Sequence, residues 1–242
     1  AAHEYGGKVV ATVVNRRHAQ RAEEYGTDAL LVTGHEAAAH GGDVTSLVLV
    51  PSIVDAVKIP VIAAGGFADG RGLAAALALG AEGIAMGTRF MATRESPLHE
   101  TFKKLSVEKD AADTLYSARF DGLPCRVLDT PAARKAIRKG LDLPAAFFTS
   151  RDIARQLRLP YAKLFVGVMA SGWRNAKQLA FMANAFRAIR IATEDGDNEK
   201  GVLTVGQVTG LVRDVPTVAE LMERIVAEAS GVRERLNRAI PA

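Results

Sequence analysis

Four short apolar runs, each followed by a helical pattern, organise the first 95 residues. Residues 8–14 form a β-branched run that reads as a buried strand. A helix is expected over 16–25, with Gly26 at the position that ends it. A second strand is expected over 28–32, then a loop over 33–45 rich in Ala, Gly and His. Residues 47–57 show a short helical pattern, in which Pro51 is acceptable only within the first turn. A third strand follows at 60–64, an alanine-rich helix at 70–79 closed by Gly80, and a fourth strand at 83–86. Continuous apolar strands alternating with helices mean a parallel sheet covered by helices, joined by right-handed crossovers.

The pattern changes after Thr93. Residues 97–117 read as helices rich in Lys, Glu and Asp, and 121–127 as a short extended piece. Residues 131–140, 149–157 and 175–192 look helical, punctuated by Gly122, Pro124, Pro131, Pro144 and Pro160. The division expected is a β/α unit over 1–94, a mainly helical lid or substrate domain over 95–215, and a final helix over 216–242. That helix opens with Thr217-x-x-Glu220, a capping box. Val218, Leu221, Met222, Ile225, Val226, Ala229 and Val232 follow at helical spacing, an amphipathic face that needs a surface to cover.

Four parallel strands with two apolar faces expose both sheet edges, which is an aggregation hazard. A closed barrel has no edges but needs eight strands. The alternatives are therefore an open α/β sheet, or a barrel whose first half is absent from this chain. Composition narrows the function only slightly. Of 242 residues, 48% are hydrophobic and the net charge is +4, a weak and scattered excess that argues against nucleic-acid binding. The sole cysteine, Cys125, excludes an internal disulfide and fits a reducing cytoplasm. No apolar run reaches the roughly 18 residues of a membrane span, and no signal-peptide pattern opens the chain.

The chemistry is concentrated where strands three and four end. Ala64-Gly65-Gly66 and Met86-Gly87-Thr88 are glycine turns side by side on one rim, where backbone N–H groups can approach an anion closely. Phosphate sites of β/α barrels lie after the last two strands. Gly65, Gly66, Gly87 and Thr88, the last with its hydroxyl, are the candidate ligands of a phosphorylated cofactor or substrate. Arg71 and Arg89 can add charge, although each is more often a salt-bridge residue. Asp69 suits an N-cap, and no G-x-G-x-x-G dinucleotide fingerprint occurs. His40, in the loop after strand two, lies on the same rim and is the candidate general base, since imidazole accepts protons near neutral pH. His35 is a rival base. Glu36 either orients His40 or caps the loop. No metal ligand set is expected, because no His-Glu-x-x-His spacing and no cysteine cluster occurs. Trp173, Tyr161, Phe147 and Phe148 are expected to pack a core rather than line a substrate mouth.

Glu36-Ala-Ala-Ala-His40-Gly41 resembles the Glu-Ala-Gly-Gly-His-x-Gly motif of the nitronate monooxygenase (2-nitropropane dioxygenase) family. Gly65-Gly66-Phe67-Ala68-Asp69-Gly70-Arg71 and Met86-Gly87-Thr88-Arg89-Phe90 resemble its flavin-phosphate segments. Gly66-Phe67-Ala68-Asp69-Gly70-Arg71-Gly72 is also similar to the motif of NADH:quinone reductases on the same scaffold, and flavin-dependent enoyl-acyl-carrier reductases are relatives. The resemblance is dense over 8–95 and returns at 206–228. It implies a (β/α)8 TIM-type barrel carrying FMN, of which this chain holds the last four β/α units plus a helical insertion. It also implies that His40 deprotonates a nitroalkane or positions a nitronate, which flavin and dioxygen convert to a carbonyl compound and nitrite. Ala38 and Ala39 depart from the family's two glycines. An NAD(P)H:quinone reductase is the alternative enzyme. A non-catalytic half-barrel, working as a homo-oligomer or with a complementing N-terminal half, is the alternative of another class.

Overall fold

The structure, a computed structural model, describes residues 2–38, 40–156 and 158–240, with nothing said of the Gln156 side chain. Ala39 and Leu157, on which two readings above fall, lie outside the described residues.

Strands β1 (Val10–Val13), β2 (Ala29–Thr33), β3 (Val61–Ala64) and β4 (Gly83–Ala85) form one parallel sheet in the order β1-β2-β3-β4. The register pairs Val13 with Val32, Val32 with Ala63 and Ala63 with Ile84. Strand order equal to chain order means that every crossover steps the same way, so all strand C-termini lie on one rim. Helices α1 (Arg16–Glu24), α2 (Ser46–Val54) and α3 (Gly70–Ala78) fill the crossovers. Val13, Leu30, Val32, Leu49, Val50, Ile53, Val61 and Ala63 form the buried core between sheet and helices. Asp69 caps α3 as expected, accepting from Gly72 N at 3.0 Å, and Asn15 caps α1 by accepting from His18 N.

Helix α2 departs from expectation. Pro51 sits in its second turn rather than its first. One helical hydrogen bond is lost there, but Leu49, Val50 and Ile53 bury completely against the sheet. At roughly 1.5–3 kcal/mol for each such side chain, burial outweighs the missing bond.

Beyond the short α4 (Thr88–Met91), helix α5 (Glu100–Glu108) covers only part of the stretch read as helical. Thr114–Ser117 is strand β5, paired antiparallel with β6 (Cys125–Leu128) so that Tyr116 faces Arg126. The β-branched and aromatic residues of 114–116 win over the helical composition before them because a partner strand is available. Helices α6 (Pro131–Lys139), α7 (Leu143–Gln156), α8 (Tyr161–Ala170) and α9 (Trp173–Arg190) follow. Helix α8 was not legible in the sequence: it is apolar nearly all round, and none of its residues is buried.

The last helix, α10 (Val218–Ala239), opens with the predicted capping box, in which Thr217 and Glu220 bond each other's backbone. It lies along α3. The approach is so close that a Cβ on Gly70 would stand 2.4 Å from Ala229 N and Ile225 O. Glu228 accepts the Gly70 amide hydrogen at 2.9 Å. No helix among the described residues is long and apolar enough to cross a membrane.

Candidate active site

The two glycine turns lie next to each other because β3 and β4 are neighbours in register. Gly65 and Gly66 both adopt positive φ, +91° and +85°, a region in which other residues are strained. Gly65 packs against Gly34, and Gly66 against the Glu36 side chain, so the loop carrying His40 is built directly on the first turn. Among the described residues, the amide N–H groups of Gly65, Gly66 and Gly87 donate to no protein acceptor. Thr88 is the first residue of α4, where an N–H has no intrahelical partner. A Cβ built on Gly87 meets nothing within 4 Å. Open space above free amides suits a phosphate.

Three details narrow this cradle. The Thr88 side chain is buried, and its oxygen already accepts from Gly206 N at 2.9 Å. The α3 N-terminus is not available to an anion, since the Asp69 and Glu228 carboxylates take its amides. Neither arginine serves the cradle. Arg71 pairs with Asp69. Arg89, only 3% exposed, donates to the Asp214 carboxylate at 2.7 Å and to the Asp214 carbonyl at 3.0 Å. Burial lowers the pKa of Arg89, against the pull of Asp214.

His40 is exposed, and its Nε2 lies 2.7 Å from Asp121 Oδ2. Asp121 belongs to the β5–β6 turn and is nearly buried. It also accepts from Leu123 N through its other oxygen. With Nε2–H donating to the carboxylate, Nδ1 is left to accept a proton, the arrangement in which a carboxylate fixes the imidazole tautomer. Glu36 does not orient His40. Its carboxylate accepts from Ser46 N at 3.0 Å and lies 3.0 Å from Ser46 Oγ, capping the start of α2. Ser46 Oγ also lies 2.7 Å from the Gly65 carbonyl oxygen, which ties this cap to the glycine turn. His35 is tied down as well: Nδ1 donates to the Gly42 carbonyl at 2.9 Å, and the ring stands edge-on to Tyr116.

The β5–β6 hairpin clamps the whole loop. Tyr116 donates to the Gly41 carbonyl, and the buried Arg126 donates to the His35 carbonyl at 3.1 Å while lying over the Tyr116 ring. Burial lowers the Arg126 pKa, and its Nε has no protein partner. Cys125, buried beside Asp121, has its thiol pushed up to about 12, first by burial and then by the Asp121 charge. Asp121, Tyr116, Arg126 and Ser46 were missed in the sequence. The first three come from a hairpin more than 70 residues away, of which 121–127 was read as a short extended piece but 114–117 as helix, so that the pairing was not foreseen.

Phe147, Tyr161 and Trp173 do not pack a core as expected, and Phe165 joins them. They line an apolar cavity of about 350 Å³ between α7, α8 and α9, and Trp173 is 70% exposed. Phe148 borders a different, more polar hollow. Helix α9 reaches the site, since Gln178 Nε2 donates to the Asp121 carbonyl at 2.9 Å.

Residues 1–228 match the model of the nitronate monooxygenase family, to which this chain belongs. A Rhodococcus jostii protein named (3aS,4S,5R,7aS)-5-hydroxy-7a-methyl-1-oxo-octahydro-1H-indene-4-carboxyl-CoA dehydrogenase is 38% identical over 229 residues, covering 93% of this chain and 65% of its own length. A Staphylococcus aureus protein named probable nitronate monooxygenase is 35% identical over 147 residues, 57% of this chain and 41% of its own. The solved structure of FabK from Thermotoga maritima superposes with a TM-score of 0.74 at 35% identity, over 98% of this chain and 65% of that one. The chain thus spans about two thirds of the length of the first and third of these relatives. Both curated relatives carry oxidoreductase names, and the family's enzymes are flavin enzymes in general.

Proposed function

We propose that this chain carries the phosphate grip and the general base of an FMN-dependent oxidoreductase acting on a carbon acid. The reading rests above all on His40, paired with buried Asp121 on the rim that also presents the free amides of Gly65, Gly66 and Gly87. These amides and the backbone N–H of Thr88, whose hydroxyl is committed to Gly206, would hold the FMN phosphate; a bound flavin would supply the two-electron acceptor. His40 takes the proton at Nδ1 while Asp121 holds Nε2–H and stabilises the imidazolium that forms. Tyr116 and Arg126 keep the loop in place, so little reorganisation accompanies the transfer.

The acidic carbon needs an electron-withdrawing neighbour. In a nitroalkane this is the nitro group, and the family reaction yields a carbonyl compound and nitrite with dioxygen as acceptor. A second reading is a coenzyme A thioester of a fused-ring acid, in which the proton lies next to the thioester carbonyl. It is favoured by the Rhodococcus jostii dehydrogenase, which matches 93% of the chain, and by the apolar cavity beside α9, of a size to take a ring system. We further propose that residues 1–94 are the last four units of a (β/α)8 barrel, 95–215 a lid or substrate domain, and 216–242 its final outer helix. The unpaired edges of β1 and β4, with Val10 53% exposed, support flanking strands from further chain, a second copy or a complementing half.

Anaerobic bleaching of the flavin-loaded protein discriminates these readings. Bleaching by a nitroalkane or nitronate supports the first, by a carbocyclic acyl-CoA the second, and by NADH alone a quinone reductase. A protein that takes up no FMN refutes the enzyme reading for this chain.

A further inference from the structure

Three donor atoms of different chemistry converge beside the proposed base. His40 Nε2, an Asp121 carboxylate oxygen and Cys125 Sγ all lie within 4.8 Å of one another. They come from the loop after β2, the β5–β6 turn and the first residue of β6. Cys125 is 1% exposed; its thiol hydrogen-bonds the Asp121 side chain and reaches the Arg126 carbonyl only at 4.0 Å, the outer limit for sulfur. A tetrahedral metal with bonds of about 2.0–2.3 Å sets its ligands about 3.3–3.8 Å apart, so small side-chain shifts suffice. The backbone supporting the ligands is already fixed by Tyr116 on Gly41, Arg126 on His35 and Gln178 on Asp121.

We propose that His40, Asp121 and Cys125 form a three-ligand site for Zn²⁺ or a similar borderline-soft divalent cation. The mixed nitrogen, oxygen and sulfur set disfavours Mg²⁺ and Ca²⁺, which take oxygen ligands. The fourth position opens on the exposed His40 side and takes water. Binding releases the thiol proton to solvent, and the imidazole proton resides on Nδ1 so that Nε2 can ligate. A metal-bound His40 therefore has no lone pair for substrate, and the cation holds the base off. This last consequence rests on the base role proposed above, whereas the binding itself does not.

Cobalt provides the test, because Cys125 is the only cysteine in the 242 residues. Co²⁺ added to chelator-treated protein should give a thiolate-to-cobalt charge-transfer band in the near ultraviolet, read as a difference spectrum so that any flavin cancels. The band should saturate at one equivalent and disappear with Zn²⁺. Cys125→Ser should abolish it, and His40→Ala or Asp121→Asn should each weaken Zn²⁺ binding by about tenfold or more, measured against a chromophoric chelator. Zinc-edge X-ray absorption of the unmutated protein should show one sulfur ligand. No thiolate band and no sulfur shell at saturating metal would overturn the site. Retained turnover in His40→Ala would remove the base role and leave the spectroscopic result standing.

Discussion

Asp121 Oδ2 stands 2.7 Å from His40 Nε2 across 81 residues of chain. The pair joins two parts of the molecule with different architectures, a parallel sheet with helices and an antiparallel hairpin. The rim of the first supplies the imidazole, and the turn of the second supplies the carboxylate that orients it.

In the flavin-loaded protein, His40→Ala should lower kcat/KM for a carbon-acid substrate by about 10²–10⁴-fold, the usual share of a general base. Asp121→Asn should lower it less, with its loss largely absent from the double variant, since both residues serve one proton transfer. Steady-state kinetics of the two single variants and the double variant check this. Additive losses would separate Asp121 from His40.

Gly65→Ala and Gly66→Ala place a Cβ on backbone of positive φ. Each should cost about 1–2 kcal/mol of stability and tilt the free amides. Urea denaturation and FMN titration by fluorescence quenching should show both effects. Gly87→Ala, at negative φ with open space, should leave stability nearly unchanged and weaken FMN binding by crowding the cradle.

The α3–α10 contact depends on the absence of a side chain at Gly70. Gly70→Ala should destabilise by about 1–3 kcal/mol, because the new methyl meets backbone rather than a movable side chain. Thr217→Ala removes the capping box and should cost about 1 kcal/mol. Because the two sites are far apart on α10, the losses should add in the double variant; chemical denaturation measures all three.

Asp214 bridges Arg224 and the buried Arg89. Hydrogen bonding from Arg224 holds its carboxyl below the ordinary value of 3.8, followed by the charge of Arg89. A lowered folded-state pKa stabilises fully above the ordinary value and loses that contribution as pH falls through the lowered one. Acid denaturation should therefore begin to draw on this site below about pH 4. Asp214→Asn should lose about 1–2 kcal/mol at neutral pH, a modest figure because the carboxylate is half-exposed, and should flatten the acid limb of the stability profile.

Local signals were sufficient for the βαβ order, for the caps at Asp69 and Thr217, and for the two glycine turns. Each depends on residues within a few positions of one another: apolar runs, a helical period, a side chain reaching its own backbone. The loop with His40 and its place on the rim followed from the same reading. Tertiary packing decided the rest. Pro51 stays inside α2 because the sheet buries its neighbours. Thr114–Ser117 is a strand because Cys125–Leu128 pairs with it. Glu36 turns to Ser46, and Asp121 takes the place beside His40, because a hairpin distant in sequence folds back over the loop. No periodicity records such a meeting, since the contacts arise only when two independently patterned segments bury their apolar faces together.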